Sequence, residues 1–217
     1  DALAKSLAHA QVTNDTNAII GHFLSMSQLE LEDGFPHRAR EYLEQLQATG
    51  LTETHPELKA YLLRWQGLVA WAEGQLTSAE DFLWRALAVL EGHGCALNAA
   101  GVLERLAGLA EEQGDLEKAV NLHERFMWRM RELGRTHLLC GHLHAQAERY
   151  LRLNRPESAV TLLRESVRLG KEMKLSYHLM WALNDLAVEI LCPRGEFQEA
   201  RSLLQEAIEL AKHTGHR

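Results

Sequence analysis

Three side chains able to bind a metal, His137, Cys140 and His144, stand three and four residues apart, a spacing that places them on one helical face. Neutral imidazole and thiolate are both zinc ligands. A structural zinc site takes four ligands, however, and no acidic partner or second Cys-x-x-Cys is evident nearby, while His142 points to another face. The expectation is a buried, packed Cys140 with solvated histidines, and neither a metal nor a cofactor. His213 and His216 read as exposed tail residues. Basic clusters occur at Arg129, Arg131 and Arg135, then at Arg164, Arg168, Lys171 and Lys174. Their spacing against Glu132, Glu165 and Glu172 describes a solvated helix surface rather than a nucleic-acid stripe. Gly-rich phosphate loops, H-E-x-x-H and G-x-S-x-G are all missing, so the chain is read as a non-enzyme.

The elements that carry these residues follow from composition and periodicity. The chain has 217 residues, 46% of them hydrophobic, which excludes wholesale disorder. A net charge of −7 argues against a dedicated nucleic-acid binder. Acid is concentrated early: residues 1–108 hold 7 basic and 14 acidic side chains. No apolar run approaches the roughly 18–20 residues of a membrane span. The start lacks the basic and apolar regions of a signal peptide. Three widely spaced Cys suit a reducing, cytoplasmic setting.

One pattern recurs: a Gly or Asn, four residues, then a small residue opening an apolar stretch. It appears as Gly34-FPHR-Ala39, Gly74-QLTS-Ala79, Gly114-DLEK-Ala119, Asn154-RPES-Ala159 and Gly195-EFQE-Ala200, with spacings of 40, 40, 40 and 41. Each anchor separates two helix-like stripes. Leu62, Leu63, Gln66, Gly67 and Ala70 precede Gly74; Ala79, Leu83, Ala86, Leu87 and Leu90 follow it. Gly and Asn tolerate the left-handed conformation that closes a helix. Strand alternation is lacking. Each unit is therefore a helical hairpin, and a hairpin buries its stripe only by stacking on neighbours. The hairpins are expected at about 14–57, 58–94, 95–136, 137–175 and 176–214, with residues 1–12 the tail of a truncated unit in which Leu3 and Leu7 match Leu163 and Val167. Pro193 in Cys192-Pro193-Arg194 ends its helix early, and an extra residue here accounts for the spacing of 41.

These features resemble the tetratricopeptide repeat (TPR) family. Gly67, Ala107, Ala147 and Ala187 fill the small interhelix position of the first helix. Tyr150 fills the Tyr position. Ala79, Leu83 and Ala86, and again Ala200, Leu204 and Ala207, fill the second-helix triplet. The period of about 40 departs from the family's 34, and each unit's terminal Pro is missing. This matches the extended repeats of bacterial regulators and signalling adaptors, and His123 stands in an otherwise apolar slot. The implied fold is all-α, a right-handed superhelical solenoid of antiparallel hairpins, with about five repeats plus a partial N-terminal one. It is expected to form one domain over 1–217. Both ends lack a capping helix, which points to a fragment of a longer chain.

The resemblance also selects a ligand face, because first helices line the concave side of such solenoids. Counting back from the anchors gives Gln28, with Leu24 and Leu31, in the first full unit. The second supplies Tyr61, Arg64, Leu68 and Trp71, and the third Glu104 and Glu111 beside Gly108. The fourth supplies His144, Glu148 and Arg152. The fifth, shifted for its insertion, supplies Trp181 and Asn184 with Val188. Trp, Tyr and Arg dominate binding energy at interfaces, although Trp71 and Trp181 could equally pack between helices. Another subclass of the family grips a C-terminal carboxylate with Lys, Asn and Arg. Here Arg64 is isolated, and Gln28, Leu68 and Gly108 stand where Asn would be, so that clamp is not expected.

The resulting expectation is a protein- or peptide-binding scaffold of a bacterial-type cytoplasmic regulatory or signalling protein. Its ligand lies in the concave groove, and Glu104 and Glu111 favour basic groups. A second reading is the sensor or oligomerisation arm of a large transcriptional activator or cyclase-like protein, binding a small effector or its own domains. A third is self-association into homo-oligomers through uncapped ends. None involves direct nucleic-acid or membrane contact.

Overall fold

The computed structural model describes residues 15–53 and 55–214. The expected partial repeat at 1–12 lies outside them. Ten α-helices make up the described residues: α1 (Thr16–Glu32), α2 (Pro36–Ala48), α3 (Pro56–Ala72), α4 (Leu76–Gly92), α5 (Ala96–Glu112), α6 (Leu116–Glu132), α7 (Leu139–Arg152), α8 (Pro156–Glu172), α9 (Ser176–Asp185) and α10 (Phe197–Thr214). No strand occurs among the described residues, as the missing alternation predicted. The chain falls into two compact units, residues 1–114 and 115–217. In the first, α1 packs on α2 and α3 on α4, with α5 against α4. In the second, α6 packs on α7, α7 on α8 and α9 on α10.

The 40-residue register is a burial register. Ala39, Ala79, Ala119, Ala159 and Ala200 open the second helices and are all buried. Gly67, Ala107, Ala147 and Ala187 are likewise buried in the first helices, and Ser27 takes their place in α1. Short side chains here let backbones approach. A Cβ on Gly67 would lie 2.9 Å from Leu83 Cγ and 3.3 Å from the Ala79 carbonyl. Around these contacts Leu43, Leu46 and Phe23 fill the first unit, and Leu163, Ile190 and Leu191 the second. Each buried Leu or Ile contributes about 1.5–3 kcal/mol of transfer free energy.

The anchors close helices as expected. Gly74 has φ +75°, and Gln75 N–H reaches back to the Ala70 carbonyl at 2.8 Å. Asn154 takes the same left-handed conformation at φ +56°, and so does Lys174 at +54°. Pro36, Pro56 and Pro156 start helices at positions where no N–H is needed. The side chain of Asp115 caps α6 by accepting from Lys118 N–H at 3.0 Å.

The extra residue of the last hairpin is absorbed inside the helix rather than in the turn. Residues Leu186–Leu191 form a π segment, with Cys192 N–H bonded to the Ala187 carbonyl at 3.0 Å. The closing bond that follows, Glu196 N–H to the Leu191 carbonyl, spans as many residues as Gln75 to Ala70. A π turn adds one residue without breaking the helix. Pro193 thus stands beyond the helix end, not at the origin of the register shift.

Candidate functional site

The side chains selected for a ligand face sit on first helices in both units, and they differ in how they are held. In the first unit Gln28 is exposed on α1 and donates along its own helix to Glu32 at 2.7 Å. On α3, the Arg64 guanidinium lies 5.8 Å from the Tyr61 ring centroid and 5.5 Å from that of Trp65. Burial lowers its pKa, opposed by Tyr61 and reinforced by the charge of Arg105. Tyr61 Oη accepts from Asn98 Nδ2 at 2.8 Å, tying α3 to α5. Trp71 makes the same tie by packing its ring over Gly108 and donating its indole N–H to Glu112. Leu68, Glu104 and Glu111 are half-buried, and Glu104 stands 3.9 Å from Arg105. Tyr61 and Trp71 therefore brace α3 against α5.

The second unit gathers its residues more tightly. His144 on α7 donates through Nε2 to Asp185 Oδ2 at 2.6 Å, at the end of α9. Asn184 Nδ2 donates to the other oxygen, Oδ1, at 3.1 Å. This carboxylate bond raises the pKa of His144. Burial lowers it, and the charges of Asp185 and Glu148 add to the rise. Glu148 is exposed one turn along α7. Together with Gly141, Tyr177, His178 and Trp181, His144 and Glu148 line an open cleft of about 360 Å³. Trp181 is 44% exposed and Tyr177 51%, far more than packing residues would be. Their rings meet edge-on, 6.3 Å apart. Gly141 makes room for His178, whose Cε1 lies 2.8 Å from where a Cβ would project. Arg152 is exposed in the last turn of α7.

Tyr177, His178 and Asp185 escaped the sequence reading, which took one position per turn from the anchors. Two signals were present. Tyr177 precedes Trp181 by four residues, the helical neighbour spacing, and Asp185 follows Asn184 directly, 41 residues beyond His144. The triplet His137, Cys140 and His144 does not act together. Cys140 is buried, its Sγ 3.3 Å from the Ser166 carbonyl, while the Ser166 hydroxyl donates to the Cys140 carbonyl at 2.9 Å. Burial raises its pKa, partly offset by Ser166. His137 is exposed in the short turn Thr136–Leu138.

This fold is that of TPR-like helical repeat scaffolds, which are typically non-catalytic and generally mediate protein interactions. A tetratricopeptide repeat model matches residues 102–141, and the solved structures that resemble the chain are TPR-like repeat proteins. Among solved structures, BtubC from P. vanneervenii is similar at a TM-score of 0.84 and 13% identity, covering 100% of this chain and 91% of that one. A Podosopora anserina kinesin-light-chain protein of nearly identical TPR-like repeats gives 0.71 and 20%, covering 90% and 96%. MamA gives 0.65 and 11%, covering 88% and 98%. At these identities the likeness is one of fold. No curated protein matches the sequence.

Proposed function

We propose that the chain is a peptide-binding scaffold whose second unit seats a basic side chain of its ligand in the cleft between α7 and α9. The observation that supports this reading most is the pairing of two exposed aromatic rings, Tyr177 and Trp181, with the exposed carboxylate of Glu148 around one cleft. Aromatic faces and a carboxylate together complement a Lys or Arg side chain, through cation–π attraction and charge. Glu104 and Glu111 place further acid on a first helix of the first unit. The proposed setting is a cytoplasmic regulatory or signalling protein of bacterial type, consistent with three free cysteines. No helix among the described residues is long and apolar enough to cross a membrane. A sensor arm for a small effector is the second reading. It calls for an enclosed pocket, and the open shape of this cleft favours the scaffold.

Selection of random peptides on the full chain tests the proposal. The enriched peptides should carry Lys or Arg. Trp181→Ala should weaken them by about 2 kcal/mol, as expected for an interface hot spot, and Glu148→Gln should weaken them with the fold intact. Enriched peptides without basic residues, or equal binding to both variants, would refute it.

A further inference from the structure

We infer that the cleft of the second unit also carries a divalent-metal site, with His144 Nε2, a Glu148 oxygen and Asp185 Oδ2 as its protein ligands. The three ligand atoms come from two helices and lie within 4.8 Å of one another. Two observations beyond this proximity support a site. The first is orientation. Asn184 holds the far oxygen of Asp185 at 3.1 Å, which aims Oδ2 at His144; ligating carboxylates are commonly fixed by such outer hydrogen bonds. The second is access. His144 and Glu148 line the open cleft, so coordination positions not filled by protein are left to water or to a ligand group.

Charge and geometry are both consistent with a first-row transition ion. One neutral imidazole and two carboxylates balance a divalent cation. An imidazole with carboxylates suits Zn²⁺ and Mn²⁺ better than an all-oxygen cation such as Mg²⁺. Metal–nitrogen and metal–oxygen bonds of about 2.0–2.2 Å put neighbouring tetrahedral ligands roughly 3.3 Å apart. The His144–Asp185 contact of 2.6 Å therefore opens by less than about 1 Å, and the exposed Glu148 closes in by a rotamer change. In the metal-free chain a proton on Nε2 bridges His144 and Asp185; binding the ion displaces it, to Nδ1 from a neutral ring or to solvent from an imidazolium, and leaves His144 as the neutral Nδ1–H tautomer. The spacing of His144 and Glu148, four residues on one helix, is the arrangement that puts two ligands on one face.

This inference shares Glu148 with the peptide-binding reading, so an ion held there competes with a basic side chain for one carboxylate, and titration without peptide tests the metal site alone. Its test is calorimetric titration of the full chain with Zn²⁺, and with Mg²⁺ for comparison. Stoichiometric Zn²⁺ binding that His144→Ala and Asp185→Asn each weaken about tenfold or more is the expected result, with Mg²⁺ much weaker. Glu148→Gln is the variant least able to disturb folding, because its side chain is exposed; it too should weaken Zn²⁺. Co²⁺ supplies a second readout by quenching the indole of Trp181, which lines the same cleft. The quenching should disappear in Trp181→Phe and fall in Glu148→Gln. No saturable Zn²⁺ binding, or binding unchanged in all three ligand variants, would overturn the site.

Discussion

At the scale of residues, His123 shows how one substitution in the register changes the chemistry of the core. It occupies the slot that Leu43, Leu83 and Leu163 fill in other hairpins, and it is only 2% exposed. Its Nε2 faces His142 Nδ1 at 3.3 Å, and its ring packs on Phe126 at 5.4 Å. Burial pushes its pKa down to about 3, helped by the charges of Arg149 and His142 and opposed by Gln146. The unfolded chain takes up this proton near pH 6.5. Between about 6.5 and 3 the unfolded state therefore binds a proton that the folded state does not, so stability falls as the pH drops through that window. His123→Leu should flatten the loss. Urea denaturation at neutral pH and near pH 4.5 reads the effect directly, and an equal acid loss in both proteins would contradict it. The unusual slot was legible from the repeat, because the register marked His123 as out of place. Asp185 was signalled only by its place beside Asn184, because its role depends on His144, 41 residues away on another helix.

At the scale of elements, the turns and close approaches follow the anchors. Lys174 adopts a φ of +54° where other turns use Gly, such as Gly74 at +75°. A left-handed non-Gly residue costs about 1–2 kcal/mol. Part of that is recovered on substitution, because Gly also adds entropy to the unfolded chain. Lys174→Gly should therefore stabilise by about 0.5–1 kcal/mol, visible as a raised denaturation midpoint at constant slope. Gly67→Ala should act in the opposite direction. The new methyl would meet Leu83 Cγ at 2.9 Å, a branch point rather than a flexible tip, and the Ala79 carbonyl behind it. Overpacking of this kind costs about 1–3 kcal/mol. A Gly67→Ala variant as stable as the parent would show that α3 and α4 are not held at this distance. The hairpins were readable because small residues and helix-closing residues repeat in phase. The π segment at Leu186–Leu191 was not. A spacing of 41 reveals one extra residue, yet gives no indication of whether turn or helix absorbs it, and Pro193 drew the reading to the turn. Its position matters because Asp185 stands immediately before it.

At the scale of the whole molecule, repeat folds place recognition in side chains that vary over a constant scaffold. That division explains what the sequence could and could not reveal. The scaffold rests on Ala, Gly and Leu in a fixed phase, so it survives into a fold likeness at 13% identity. The face carries no repeated signal: Tyr61 and Trp71 join helices in the first unit, while Trp181 and Tyr177 stand exposed in the second. Nothing in the periodicity separates a bracing Trp from a presenting one; only the distance to Glu112 and Gly108 does so for Trp71. In the proposed function, ligand recognition in the second unit belongs to α7 and α9. Hydrogen–deuterium exchange of the full chain, with and without a selected Lys- or Arg-bearing peptide, tests it most directly. The predicted result is protection concentrated at residues 141–148 and 177–185, lost in Trp181→Ala. Protection confined to α8 and α10, or identical in parent and variant, would rule out recognition by α7 and α9.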